Sequence, residues 1–261
     1  MALVALFVFA SCKKNTGVTN QPYEAYGTPA NKGQLKVNLA FAYAIDYANL
    51  RIKLNGAYVS NLLQSRTPFP GGGFNTRGSN FALYMSVPLG SNAVSIVMPK
   101  FGTNVDSVVL FSTNVNITDN TPQTLHLTDT AANMKSVLVR NNINNIADGM
   151  CRFNFVHLMP NVPAVDLYLN GVLMRANIPY LGASGAMDIP VGINAPGFVS
   201  GATTTWAVRA AGATSTSAAL VSFASASGLI SGGALTGFCM GYSGATGARL
   251  PFLAMTLDKN Q

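Results

Sequence analysis

Charged residues are scarce in this chain: Asp, Glu, Lys and Arg make up 10% of its 261 residues. About a quarter is typical of soluble domains, so the surface must take its polarity from Asn, Ser, Thr and Gly instead. Glutamate, a strong helix former, occurs once, at Glu24. No segment repeats apolar residues at three- and four-residue spacing, which argues against amphipathic helices and favours a β-rich chain.

Motifs for catalysis and metal binding are missing as well. The two histidines, His126 and His157, lie outside any His-Glu-x-x-His motif, and the chain has no Cys-x-x-Cys pair. It also lacks a Gly-x-Ser-x-Gly nucleophile elbow and a Gly-x-x-x-x-Gly-Lys phosphate loop. We therefore predict that the protein is not an enzyme and that it uses no cofactor and no metal ion.

The net charge of +7 does not by itself indicate nucleic-acid binding. The 16 Lys and Arg are spread along the chain, and only Lys13 and Lys14 are adjacent. Domains that bind nucleic acid cluster such residues on one face, so we expect no nucleic-acid partner. No apolar run after Cys12 approaches the ~20 residues that a membrane-spanning helix needs.

The first twelve residues carry the clearest signal of location. A short apolar run over residues 3–10 ends in Ser11 and Cys12. An apolar run too short to span a bilayer, followed by small residues, is typical of an export signal, and the terminal cysteine makes it look like the lipobox of a bacterial lipoprotein. We predict a signal peptide over residues 1–11, lipidation of Cys12 and a flexible tether over residues 12–32. Each buried acyl methylene contributes ~0.8 kcal/mol, so the lipid is expected to hold the protein at a membrane.

Beyond the tether, two stretches of the chain show the same series of β-strand signals. Alternating apolar residues lead into Leu54-Asn55-Gly56, and the same hairpin signal returns at Leu169-Asn170-Gly171. Val87-Pro88-Leu89-Gly90 is matched in the same order by Ile189-Pro190-Val191-Gly192. We predict an all-β protein of two tandem immunoglobulin-like antiparallel β-sandwich domains, over residues 33–142 and 147–261, as two copies of one unit.

Residues 153–192 also resemble a known family. The resemblance rests on the strand-corner-strand segment Phe153 to Gly171, which contains His157, Pro160, Pro163, Val165, Asp166 and Tyr168, and on the later turn Ile189 to Gly192. This pattern is similar to the domain-of-unknown-function family 4397, with a clear copy over about 150–261 and a degenerate copy over about 33–141. The resemblance implies a secreted or lipid-anchored β-sandwich protein with no established activity, and for the whole chain a Bacteroidota-type outer-membrane lipoprotein in the cell envelope.

Few polar residues stand out as candidates for a site. His157 and Asp166 flank a corner that contains two prolines, which remove backbone donors, and we predict that the pair holds this loop by hydrogen bonds. Cys151 and Cys239 remain as an even pair once Cys12 is lipidated. They are either bridged in an oxidising compartment or buried as small apolar residues.

The largest length difference between the two copies is a Gly-rich loop in the first. Its segment Arg66 to Arg77 includes Phe69 and Phe74, and aromatic and arginine side chains on a loop are typical of a binding surface. The alternative is a surface insertion folded on its own two phenylalanines. Trp206, the only tryptophan, is predicted to lie in the core.

The leading functional prediction is a non-enzymatic, lipid-anchored envelope protein with a binding or structural role, as an accessory subunit or an adhesin-like module. Its partners would be the membrane, through the lipid, and an unidentified envelope protein or glycan. One alternative is surface glycan binding through exposed Phe69, Phe74 and Tyr180, and another is a subunit of a larger assembly or filament. A hydrolase would require His126 or His157 to be accessible beside a serine and a carboxylate.

Overall fold

The computed structural model describes residues 31–41, 50–100, 102–103, 105–225 and 229–260. The predicted signal peptide, Cys12 and almost all of the tether lie outside the described residues. Within them the chain forms eighteen β-strands and three short 3-10 turns. The prediction of an all-β sandwich fold is therefore confirmed.

The first half of the chain, up to residue 140, contains ten strands. They are β1 (Lys32–Leu39), β2 (Arg51–Leu54), β3 (Ala57–Tyr58), β4 (Pro68–Phe69), β5 (Gly73–Phe74), β6 (Met85–Pro88), β7 (Gly90–Pro99), β8 (Asp106–Ile117), β9 (Gln123–Thr128) and β10 (Lys135–Arg140). The order β3-β2-β7-β8 forms sheet 1. The order β10-β9-β1-β4, with β6 also paired to β1, forms sheet 2.

The second half contains eight strands. They are β11 (Met150–Leu158), β12 (Ala164–Leu169), β13 (Val172–Pro179), β14 (Met187–Pro190), β15 (Thr205–Ala210), β16 (Val221–Ala224), β17 (Ala234–Met240) and β18 (Phe252–Lys259). Sheet 3 has the order β14-β11-β17-β18-β5, and sheet 4 has the order β13-β12-β15-β16.

The two halves pair their strands in the same way. In each half the opening strand, β1 or β11, pairs in parallel with a late strand, β9 or β17, which pairs antiparallel with the last strand. The opening strand also takes an antiparallel partner, β6 or β14. The predicted sandwiches were purely antiparallel, so the parallel pair in each half is a difference from the prediction.

The Asn-Gly turns show how the sequence directs these hairpins. Asn55 and Gly56 have φ values of 50° and 84°, and Asn170 and Gly171 have φ values of 48° and 80°. Positive φ at both central positions is the type I′ geometry, which asparagine and glycine tolerate and which matches the twist of two-residue hairpins. The turns join β2 to β3 and β12 to β13.

Sheets 1 and 2 enclose one apolar core, and sheets 3 and 4 enclose another. In the second core Trp206 is fully buried and stacks on Phe153, with ring centroids 4.1 Å apart and planes inclined by 13°. A third buried cluster, which includes Ala40 and Val139 of the first half and Phe238 and Ala254 of the second, lies between sheets 2 and 3. The sheets therefore stack as four layers in the order 1-2-3-4, and we call the contact between sheets 2 and 3 the seam.

The seam explains why polar residues are buried in the middle of these strands. On β1, Leu35, Val37 and Leu39 belong to the core of the first half, while the alternate residues Lys36 and Asn38 point the other way and are also fully buried. Successive side chains of a strand point to opposite faces, so a sheet covered on both sides buries every residue. All six residues of β9 and all seven of β17 are buried accordingly.

Candidate functional site

The seam contains a buried ion pair between the two halves. Lys36 Nζ lies 3.4 Å from Asp258 Oδ1 and also donates a hydrogen bond to the Leu257 carbonyl oxygen. The Asp258 carboxylate accepts hydrogen bonds from the hydroxyls of Thr236, at 2.5 Å, and Tyr84, at 3.2 Å. Burial disfavours the charged ammonium and lowers the pKa of Lys36, while the nearby Asp258 raises it part of the way back.

Asn141 extends this cluster to the end of β10. Its Nδ2 lies 2.8 Å from Thr124 Oγ1, 3.0 Å from the Tyr84 hydroxyl and 3.1 Å from Asp258 Oδ1. The Lys36 ammonium also lies over the Tyr84 ring, 4.3 Å from its centroid. The cluster therefore joins strands of both halves through one network of charged and polar groups, which is costly to leave partly unsatisfied.

The seam also buries His126. Its Nδ1 lies 3.0 Å from Asn38 Nδ2, and its ring centroid lies 5.9 Å from that of Phe238 in the other half. Burial, with a smaller contribution from the charge of Lys36, lowers the pKa of His126 to about 3. His126 is therefore neutral at ordinary pH and inaccessible, so it does not meet the condition for a hydrolase.

His157 lies at the end of β11 and is fully buried. Its Nε2 lies 2.8 Å from the Val162 carbonyl oxygen, so this nitrogen must carry the proton and donate. Its Nδ1 then accepts from the Met159 backbone N–H at 3.3 Å and from the Cys239 thiol at 3.4 Å. These bonds hold the loop after β11, and burial lowers the pKa of His157.

The same geometry determines the chemical state of Cys239. Burial raises the pKa of its thiol to about 12, so the group is a neutral S–H that donates to the imidazole. A cysteine nucleophile needs the opposite arrangement, with a lowered pKa and access to substrate. The Cys239–His157 contact is therefore a structural hydrogen bond.

Asp166 holds segments other than the proline-containing corner. Its Oδ1 accepts from the backbone N–H of Asn177 at 2.7 Å, and its Oδ2 accepts from that of Gly212 at 2.9 Å. Asn177 has a φ of 55°, and the β12–β13 register shifts beside it. The prediction that Asp166 shares one loop with His157 is wrong, because the two side chains hold different segments.

The possible disulfide between Cys151 and Cys239 is also not formed, since both thiols are free and buried. Cys239 lies opposite His157 in the parallel pairing of β11 with β17. Cys151 is six positions earlier on β11, or about 20 Å away at the rise of an extended strand. Bridged cysteines need Cα atoms within ~7 Å, so the sheet register excludes the bond.

The loop from Arg66 to Arg77, predicted as a binding surface, connects the two halves instead. Phe69 on β4 pairs with Val37 of sheet 2, whereas Phe74 on β5 pairs with Met255 of sheet 3. Phe69 packs against the first core and Phe74 against the second. The Arg66 guanidinium lies over the Phe252 ring, 4.1 Å from its centroid. The prediction of an exposed aromatic loop is wrong because its backbone and aromatics complete two sheets.

Tyr180 does not supply an exposed aromatic surface either. Its ring is half-buried and lies edge-on to His157, with centroids 6.0 Å apart. Together with the placement of Phe69 and Phe74 in different cores, this separates the three aromatics that the glycan-binding alternative requires on one face.

A cleft with a volume of about 380 Å³ opens beside the seam. Its rim includes Arg152, which makes two hydrogen bonds to Asp188, at 2.7 and 2.8 Å, and Arg140, which bonds Asp119 at 2.6 Å. These contacts lower the pKa values of both carboxyl groups, that of Asp119 to about 2. Both arginines of the rim are therefore already paired with carboxylates, and much of the remaining lining is apolar, including Val137, Leu138 and Leu235.

A second cleft, of about 300 Å³, lies at one end of the second half. It is formed where the loop after β14 packs on the β12–β13 turn: Asn170 Nδ2 donates to the Pro196 carbonyl, and Asn170 Oδ1 accepts from the Thr205 N–H. Phe198 and Val199 line it and are exposed. Val172, Leu173 and Ile193 are exposed on the adjoining segments, the start of β13 and the loop after β14. We call this group the apolar tip, and it consists of Val172, Leu173, Ile193, Phe198 and Val199.

Two further features concern metal sites and membrane spans. Among the described residues, no three His, Cys, Asp or Glu side chains are grouped as a metal site would need. In that same part of the chain, no helix is long and apolar enough to cross a membrane.

These features define an all-β protein of two stacked sandwiches in which the described histidines and cysteines are buried. The family model described as Domain of unknown function (DUF4397) matches residues 75–168, from just after β5 to the last but one residue of β12. The match supports this domain family, and it includes the His157 to Tyr168 motif. It overlaps the predicted clear copy over 150–261 only at residues 150–168. The chain matches no curated protein.

The most connected polar residues were not predicted from the sequence; they are Lys36, Tyr84, Asn141 and Asp258. Lys36 alternates with Leu35 and Val37, which is the pattern of a residue that faces water. A weak signal was present only at Asp258, which follows the largely apolar segment Phe252 to Leu257.

Proposed function

We propose that this protein is a non-enzymatic lipoprotein of the bacterial cell envelope with a binding or structural role. The proposal rests on one observation: histidine, cysteine, lysine and aspartate side chains that could act in catalysis make buried structural contacts instead. His157 and Cys239 hold a loop, His126 is enclosed in the seam, and Lys36 and Asp258 join the halves. The N-terminal apolar run that ends at Cys12 supports a lipid anchor.

We also propose that the two halves are copies of one domain, of which the first is degenerate. Their common strand pairing and the two type I′ Asn-Gly turns support this. The resemblance of residues 153–192 supports an origin in a Bacteroidota-type outer membrane. The seam joins the two copies through both polar and apolar contacts into one four-layered body with loops at both ends.

The lipid anchor is tested by labelling with radioactive palmitate in a Gram-negative host that expresses the full chain. We expect the wild-type protein to carry the label and to sediment with membranes. Cys12→Ala should lose both properties, whereas Cys151→Ala, which changes a buried thiol, should keep them. An unlabelled wild-type protein, or a labelled Cys12→Ala variant, would contradict the anchor.

The binding role is tested by affinity purification of the lipidated protein from detergent-solubilised envelope. We expect a partner or glycan in a fixed ratio to the bait, retained after a salt wash because the surface carries few charges. Recovery of the bait alone at every detergent concentration would count against a binding role.

A second candidate, a subunit of a larger envelope assembly, is favoured by β8. This strand is twelve residues long and, within the described part of the chain, pairs only with β7, whereas its counterpart β16 has four residues. A long free strand edge without Lys or Pro is a template for pairing with another chain. We expect Val109→Lys combined with Asn114→Lys to reduce any oligomer to monomers by light scattering, and a monomeric wild-type protein would refute this candidate.

A further inference from the structure

The apolar tip is exposed although the loop that carries it is held by hydrogen bonds. Ile193 is 78% exposed and Val199 is 63% exposed. The Asn170 side chain fixes the loop through the Pro196 and Thr205 backbone. Rearrangement of the loop to bury these side chains would break those bonds, so their exposure is built into the fold.

The composition of the tip fits a bilayer better than a protein partner. No charged residue occurs from Ile189 to Thr205, or from Asn170 to Met174. The charged residues next to these stretches are Asp188, which is paired with Arg152, and the exposed Arg175, whose cation suits anionic lipid headgroups. The five side chains of the tip are aliphatic or aromatic and carry no hydrogen-bonding group.

The tip also lies at the end of the molecule where the N-terminal segment joins. In the seam, the Thr128 hydroxyl donates to the Leu158 carbonyl at 2.6 Å, and Lys36 reaches Leu257, so β1 and β9 run in the same direction as β11 and β17. The start of β1 and the start of β11 are therefore at one end of the stack. Met150 pairs with Pro190, and the loop that carries Ile193 leaves from there.

The length of chain outside the described structure bounds the distance to the lipid. Residues 13–30 separate Cys12 from Asn31, so a lipid on Cys12 lies within roughly 65 Å of the start of β1 along the chain. A body held at that range meets the bilayer often, and the end that carries residue 31 is the end nearest to the attachment. The tip is on that end.

We propose that the apolar tip inserts into the surface of the membrane in which the N-terminal lipid is anchored, and so fixes the orientation of the four-layered body. The inference rests on the proposed lipid anchor. The lipid sets only the largest distance between the body and the bilayer, because residues 13–30 separate Cys12 from the described body. A second apolar contact, made by the body itself, would fix its orientation. The tip supplies this second contact in the second half only, because β7 of the first half begins at Gly90, with no corresponding loop.

The test places a tryptophan in the tip and measures its contact with lipid. The full lipidated chain with Phe198→Trp is bound to vesicles of phosphatidylethanolamine and phosphatidylglycerol that carry brominated acyl chains, which quench tryptophan on contact. The matched control is Val105→Trp, because Val105 is 65% exposed and lies between β7 and β8 at the opposite end of the stack. Trp206 is buried and gives the same background in both variants.

We expect both variants to float with the vesicles and only Phe198→Trp to lose emission, by roughly twofold for its added tryptophan, since interfacial apolar groups lie ~5–10 Å deep. Flotation with equal quenching in both variants would overturn the tip contact and leave the lipid anchor standing. Dimerisation of a floating, unquenched Phe198→Trp would assign the tip to a second copy and also overturn the proposal. Failure of both variants to float would overturn the lipid anchor, and the tip proposal with it.

Discussion

The buried pair of Lys36 and Asp258 gives the sharpest test of the seam. Lys36→Met removes the cation and keeps an unbranched side chain of similar length, while Asp258→Asn removes the anion and keeps the shape. Lys36→Met leaves the buried Asp258 carboxylate without its cation, and Asp258→Asn leaves the buried Lys36 ammonium without its anion. Loss of one partner of a buried ion pair costs about 3–5 kcal/mol of folding free energy. Both residues are at least 96% buried, so water cannot replace the lost partner.

The double variant should cost less than the two single changes together. With both charges gone, the remaining groups are neutral, and replacement of a whole buried pair is often close to neutral. The amide oxygen that Asp258→Asn introduces can still accept from the Thr236 hydroxyl, which lies 2.5 Å from the native carboxylate. We expect a coupling energy of about 2 kcal/mol or more in the double-mutant cycle, since residues in one hydrogen-bonded network are not additive.

Urea unfolding measures these costs with two probes. Trp206 is the only tryptophan and lies in the core of the second half, while far-UV circular dichroism reports strands in both halves. Lys53→Met is the matched control, because Lys53 pairs with Asp106 where both side chains are partly exposed to water. Loss of one partner should change stability far less there. Additivity of the two single changes within about 0.5 kcal/mol would refute the coupling. A Lys53→Met cost equal to that of Lys36→Met would refute the role of burial.

Three further predictions follow from individual seam and core residues. The folded protein should lose stability as the pH falls from 6.5 towards 3. His126 contributes about 1.4 kcal/mol of this loss per pH unit, because the unfolded chain binds a proton there that the folded one, in which the pKa of His126 is lowered to about 3, does not. His126→Asn should reduce the slope of unfolding free energy against pH in urea titrations between pH 6.5 and 4, and an unchanged slope would refute the assignment. Gly73→Val should release β5 from sheet 3, since even a Cβ at Gly73 would lie 2.0 Å from the Met255 carbonyl oxygen. Faster proteolysis of this loop measures the effect, with Ala57→Val on the exposed strand β3 as the control, and equal rates would contradict it. Cys151 and Cys239 should react with a thiol reagent only after unfolding, because both are buried and burial raises the pKa values of their thiols. Rapid labelling of these two cysteines in the native protein, or an intact mass lower by the two hydrogens that a disulfide removes, would contradict this.

Local signals in the sequence account for most of the fold. The Asn-Gly turns identify two hairpins because the type I′ geometry requires positive φ at two adjacent residues, a demand that few other residue pairs meet. Period-two alternation identifies the strands around them. The burial of Trp206 in a core follows from its size and its place in a strand. These features depend on residues within a few positions of each other, so one sequence is enough to find them.

Most of the candidate site could not be predicted from such local signals. A loop with aromatics and arginines is typical of a binding surface, but Phe74 pairs with Met255, about 180 positions later, and nothing near Phe74 specifies that partner. The disulfide depended on the register of two strands, which a count of cysteines cannot supply. The apolar tip is the exception. The sequence shows directly that its segment from Ile189 to Thr205 has no charged residue, but only the structure shows that its side chains are exposed.

The seam shows where sequence patterns stop being informative. Alternation tells which residues of a strand share a face, but it does not tell what covers the second face, because a polar residue satisfied by water and one satisfied by a buried partner look identical in the sequence. Lys36 and Asp258 are 222 positions apart, so their pairing is decided by the stacking of whole sheets rather than by local preference. The same stacking sets one further constraint. Sheets 2 and 3 each face a core on one side and the seam on the other. A substitution in β9 or β17 should therefore lower the stability of both halves. This predicts one cooperative unfolding transition for the whole body and not two.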